Sequence, residues 1–224
     1  MTDEIELGAD EIVDGKPFAD PIQTRRDEEA LRGLLEHERE RARIWADGAS
    51  GRQTDVVITE TDAEGRRHLL VVPDTEALLE ASDPVVVGFF GRPRSDGDAA
   101  LLFELEDELV SRMGDHARTG LLSYYDVELV KGAYGNVILF ATPEGPTSWG
   151  NDAVHRRAVD ISPQNYHEIR LHRGRLVGRL LDGGELCVTR TRYLDYSGAE
   201  PWRAVRRFPA PGSERQYRGS DGPE

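Results

Sequence analysis

The chain has one cysteine, Cys187, in 224 residues, so it forms no internal disulfide and no cysteine-based zinc site. That scarcity fits a reducing compartment, and a cytoplasmic location is the expectation. Long apolar runs are also missing. The strongest, Pro84-Val85-Val86-Val87-Gly88-Phe89-Phe90, falls far short of the roughly 20 residues that cross a bilayer. No membrane association is expected. The first residues, MTDEIELGADEIVDG, are acidic where a secretory signal needs a basic start and an apolar core.

Positive charge is scarce as well. Formal net charge is −14, which disfavours nonspecific binding to nucleic acid or to an anionic lipid surface. Only Lys16 and Lys131 among the 28 basic residues are lysine. Residues 170–224 alone are basic in balance, with 11 bases against 7 acids. Familiar catalytic and nucleotide-binding signatures are absent: no Gly-rich loop ending in Gly-Lys-Ser/Thr, no Gly-x-Gly-x-x-Gly and no Gly-x-Ser-x-Gly. The run His167-Glu168-Ile169-Arg170-Leu171-His172 imitates a zinc-binding helix, but its histidines are five apart on an expected strand and point to opposite faces. No metal site is expected there, and no organic cofactor is called for.

Four regions follow from composition and periodicity. Residues 1–23 read as an acidic flexible arm. Residues 24–83 read as an extension made of a surface helix over 27–45, two strands over 55–59 and 68–72 joined at a Gly-containing turn, and a short helix over 74–81. Residues 84–196 read as the main domain. Residues 197–224, rich in Arg, Pro and Gly, read as a disordered tail that should be dispensable for folding.

Within the main domain the expected order is strand 85–91, helix 98–113, strand 121–129, strand 136–141, helix 147–161 and strand 166–171, with an extra strand over 186–194. The fold class predicted from that order is α+β, a ferredoxin-like βαββαβ unit with an antiparallel sheet and both helices on one face. The first strand is apolar on both faces, so the open face needs a cover, either a partner subunit in a homodimer or the N-terminal segment. A second arrangement makes residues 27–91 a degenerate copy of the central unit.

Helical geometry selects the candidate site. His155 falls within the apolar arc of Val154, Ala158, Val159 and Ile161, so it faces inward, and Trp149 stands at the start of the same predicted helix. Glu106 lies inside the arc of Leu102, Leu105, Leu109 and Val110. An inward carboxylate must meet a cation or rise in pKa. His155 and Glu106 are therefore the candidate catalytic residues, with Trp149, Phe103 and Tyr125 as candidate substrate-binding surfaces.

The βαββαβ order together with Trp149-Gly150-Asn151-Asp152-Ala153-Val154-His155 resembles the dimeric α/β-barrel superfamily, which includes antibiotic-biosynthesis-type monooxygenases and related haem-degrading proteins. The resemblance covers residues 84–176. It implies a dimer and a monooxygenase-like oxidation or rearrangement of a small aromatic or polyketide-like molecule in a pocket between helices and sheet. Haem ligation does not carry over, because the position of the family's ligand histidine is Val159 here. The alternative function is a noncatalytic dimeric module that binds a small hydrophobic ligand or a protein partner.

Overall fold

The computed structural model describes residues 4–48, 52–129 and 133–209. Its centre is a sheet of nine described strands, in the order β1-β9-β8-β7-β4-β6-β5-β3-β2. The strands are β1 (Ile5–Leu7), β2 (Thr54–Thr61), β3 (Arg67–Asp74), β4 (Val85–Pro93), β5 (Leu121–Glu128), β6 (Tyr134–Phe140), β7 (Tyr166–Val177), β8 (Glu185–Asp195) and β9 (Trp202–Arg207). Every pairing is antiparallel except β1 with β9. The helices are α1 (Pro21–Ala46), α2 (Thr75–Glu80), α3 (Ala99–Val110), α4 (Met113–Ala117), α5 (Gly145–Gly150) and α6 (Ala153–Asn165).

This architecture corrects the fold predicted from the sequence. The chain is a strand-rich α+β protein built on one mixed sheet, and a simple ferredoxin-like βαββαβ unit is not what forms. The strands of residues 85–177 are hydrogen-bonded on one side to β3 and through it to β2, and on the other to β8, β9 and β1. The supposed extensions are thus parts of the same sheet. Residues 27–91 make no second copy, since β2 and β3 continue the sheet that contains β4.

The long helix explains why the sheet's second face needs no partner. Asp20 caps α1, its carboxylate accepting from the Ile22 amide at 2.7 Å, and Pro21 occupies the first helical position, where its missing N–H costs nothing. From there Leu31, Leu34, Leu35 and Ala42 recur at helical spacing and pack on Val86 and Phe90 of β4, Val137 and Leu139 of β6, and Leu176 of β7. Full burial of each leucine contributes roughly 1.5–3 kcal/mol. Gly88 makes the close seat: a Cβ there would stand 2.8 Å from both Leu31 methyls. The helix expected at the surface is a core layer, and the premise for a dimer through that face is gone.

Apolar counting found this helix but not its burial, because its buried stripe also contains Asp27, Glu38 and Arg39. Asp27 accepts from Arg170 Nε at 2.5 Å and meets His172 Nε2 at 3.0 Å, while His172 Nδ1 lies 2.9 Å from the Thr191 hydroxyl. A buried charge paired this way fixes where the helix sits along β7 and β8. Burial opposes ionisation of Asp27, but the hydrogen bonds from His172 and Arg170 outweigh it and hold its pKa below the ordinary value.

Both ends of the described chain are also ordered into the sheet. The arm read as flexible supplies β1, and the tail read as disordered supplies β9. Fully buried Arg206 ties them together, donating to the carbonyls of Gly8, Ala9, Glu11 and Ala19. Residues 210–224 of the expected tail lie outside the described residues. Among the described residues no helix is long and apolar enough to cross a membrane.

Candidate functional site

The face of the sheet opposite α1 carries Val87 and Phe89 of β4, Tyr124 and Asp126 of β5, and Asn136 and Ile138 of β6, alternate residues on each strand. Helices α3, α5 and α6 arch over it without filling the space. A cavity of about 450 Å³ remains, within the range of small-molecule sites. The second helix of the sequence reading is in fact two. The chain breaks at Asp152, whose carboxylate accepts from the amides of Val154 at 2.7 Å and His155 at 3.1 Å and so starts α6 afresh.

Four of the five residues singled out from sequence line this cavity: His155, Glu106, Trp149 and Phe103. Trp149 is buried, with the His116 ring 5.1 Å away, the His155 ring at 5.5 Å and the Tyr124 ring at 6.1 Å. Phe103 sits exposed at the rim, its ring centre 6.3 Å from that of Tyr134 in an edge-to-face arrangement. Glu106 faces inward and meets a cation, accepting from Arg67 at 2.8 Å.

Tyr125 does not belong to this group. It points through the sheet to the α1 side, where its hydroxyl lies 2.7 Å from His68 Nδ1 and its ring stacks with His37 at 5.4 Å. Its neighbour Tyr124 takes the cavity position instead, a displacement of one residue that reverses the face of a strand. His68 Nε2 in turn reaches Asp62 at 3.0 Å, which gives a hydroxyl–imidazole–carboxylate chain. That chain is a poor nucleophile: Tyr125 is buried, and desolvation followed by the charge of Glu60 drives its phenol further from ionisation.

Asp126 and Asn136 were not anticipated. Asp126 is nearly inaccessible and stands opposite Asn136 across the β5–β6 ladder. Burial first, and then the Glu106 carboxylate beside it, push its carboxyl up to about 8. That shift favours the protonated form at neutral pH, in which the carboxyl is a hydrogen-bond donor. The Asn136 Oδ1 is buried with no hydrogen-bond partner among the described residues. The signal available in the sequence was an acid in register with Tyr124 in an apolar strand, but which face looked on a cavity was not.

His155 is the opposite case. Burial lowers its pKa, the Asp152 carboxylate opposing and His116 adding to the effect, so the ring is neutral at pH 7. Its Nδ1 is buried and unpartnered among the described residues. The cavity wall therefore combines a carboxyl whose burial favours the protonated form with an imidazole whose burial favours the neutral form.

On the β7–β8 side the lining turns basic, with Arg173 and Arg192 beside Leu171, Leu194 and Tyr196. Among the described residues no group of three or more His, Cys, Asp or Glu side chains is arranged to hold a metal ion. Comparison of the chain with protein-family models, with curated proteins and with solved structures gives no match.

Proposed function

We propose that this protein binds a small, mainly aromatic molecule in the cavity between the sheet and α3, α5 and α6, and moves a proton on it. The observation that carries the reading is the pairing, in one apolar cavity, of Asp126 held protonated by burial with His155 held neutral by burial. Groups whose environments drive their pKa values apart are the usual acid and base of proton-transfer chemistry. In this reading the His155 imidazole takes a proton from a carbon next to a carbonyl, and the Asp126 carboxyl hydrogen-bonds the oxygen on which negative charge develops. Glu106 holds Arg67 by an ion pair, and its carboxylate favours the protonated form of Asp126 while the Arg67 charge opposes it. Trp149 and Tyr124 supply the aromatic wall.

A second reading, binding without turnover, draws support from the seclusion of Asp126, which is almost closed off from solvent. One experiment separates them. A panel of aromatic ketones is incubated with the protein in heavy water, binding being followed by quenching of Trp149 fluorescence and exchange by loss of the α-proton NMR signal. Trp149→Phe identifies the quenched residue, and Asp126→Asn and His155→Gln should each abolish exchange. Quenching without exchange points to a binding protein, and absence of quenching across the panel counts against the cavity as a site.

A further inference from the structure

Arginines cluster where the cavity meets β7 and β8. Arg173 and Arg190 stand directly opposite each other across the two strands, and Arg192, two residues on, turns to the same face. Like charges placed opposite one another repel, so the arrangement needs an anion. The chain provides one carboxylate for the group: Glu4 pairs with Arg190 at 3.2 Å and with Arg192. Arg173, exposed as a residue, has no ion pair or side-chain hydrogen bond among the described residues.

Desolvation of the guanidinium, and then the charges of Arg190 and Arg192, lower the pKa of Arg173, the mark of an uncompensated positive field. In a protein of net charge −14 the concentration of positive charge at this mouth is specific to the place. The unexplained feature is thus a fork donor without an acceptor on the wall of an apolar cavity.

We infer that the ligand of this cavity is an amphipathic anion, an aromatic acid whose carboxylate or phosphate lies on Arg173 and Arg192 while its apolar body lies between Phe89, Leu171 and Trp149. This inference rests on the cavity being a ligand site, as proposed above, and adds the ligand's charge and direction. Asp126 on β5 and Arg173 on β7 are three strand spacings apart, about 14 Å at roughly 4.8 Å per spacing, and two residues apart along the strands, about 7 Å, so roughly 16 Å separates their backbones before the reach of both side chains shortens it. A fused two-ring acid with an oxygen at its far end spans what is left, its anionic group on the arginines and its neutral oxygen on the Asp126 proton.

The test compares naphthoate, naphthyl phosphate and neutral naphthamide by quenching of Trp149, in the wild type, in Arg173→Met and in Arg192→Met. One charge-assisted contact predicts that the better anion binds about tenfold or more tightly than naphthamide. The preference should fall as salt rises, and Arg173→Met should remove it by weakening the anions alone. Which of the two anions binds better tells carboxylate from phosphate and supports the inference either way. Equal binding of anion and amide, or a preference that survives in both variants, overturns the inference while leaving the cavity a ligand site. If none of the three binds, the cavity reading and this inference fall together.

Discussion

Replacing Asp126 by asparagine removes a titrating group from the cavity wall while keeping its size, and the consequence is worked out from its surroundings. In the folded protein the carboxyl titrates at about 8, against 3.8 for an ordinary aspartate. An acid whose folded pKa is raised binds its proton more tightly in the native state. Its contribution to stability is therefore complete below about pH 4 and is lost as pH rises through 8. Each unit corresponds to about 1.4 kcal/mol, so between pH 5 and pH 7.5 this one group should cost the wild type about 3 kcal/mol.

Asp126→Asn escapes that loss. Glu38, fully buried and pushed up to about 7 by desolvation, adds a loss of the same sign, but it is present in both proteins and cancels in the difference. Arg67 and Glu106 face Asp126 and are likewise unchanged. Urea unfolding of both proteins at half-unit pH steps should show the variant gaining on the wild type at close to 1.4 kcal/mol per unit. Two stability curves that stay parallel across this range would refute the assignment of a protonated Asp126, and with it the acid in the proposed chemistry.

Three further outcomes follow from the packing. Asp27→Asn should destabilise by about 3–5 kcal/mol at neutral pH by leaving Arg170 without its buried partner; because the Asp27 pKa is depressed, the loss should shrink as pH falls below 3.8, readable in urea titrations at pH 7 and pH 3. Gly88→Val should cost about 1–3 kcal/mol by driving a side chain into Leu31, and Leu31→Ala in the same chain should recover part of it in a double-mutant cycle. Truncation after Pro201 removes β9 and Arg206, so a drop in stability on the order of 5 kcal/mol or outright unfolding is expected in a circular-dichroism melt, and an unchanged melt would show that the β8–β9 ladder is dispensable.

What the sequence revealed depends on how local each signal is. Strands β2 to β8 were legible to within a few residues at most ends, because apolar alternation and turn residues are properties of short windows. β7 was the exception: read to 171, it runs to Val177 through the arginine-rich HRGRLV. The burial of α1 was hidden because Asp27, Glu38 and Arg39 interrupt its stripe, and the partners that admit Asp27 to the core, Arg170 and His172, lie more than 140 residues away. β9 failed for the same reason: Trp-Arg-Ala-Val-Arg-Arg reads as a solvated tail until four distant carbonyls claim Arg206. In the site, helical periodicity placed His155 and Glu106 correctly on inward faces. Strand periodicity could separate Tyr124 from Tyr125 but not say which one faced the helices, since β5 is apolar on both sides.

The parallel pairing of β1 with β9 joins Ile5 to Ala204, nearly the full described length of the chain. Closure of so long a loop brings little reward until the strands between are in place, so this edge belongs to the last stage of folding. During synthesis β8 keeps an unpaired edge until residues 202–207 have left the ribosome, and an open edge invites pairing with another chain. Arg190 and Arg192 stand on that edge, and charges on an open edge are the kind of feature that discourages a second nascent copy from docking before the protein's own last strand arrives.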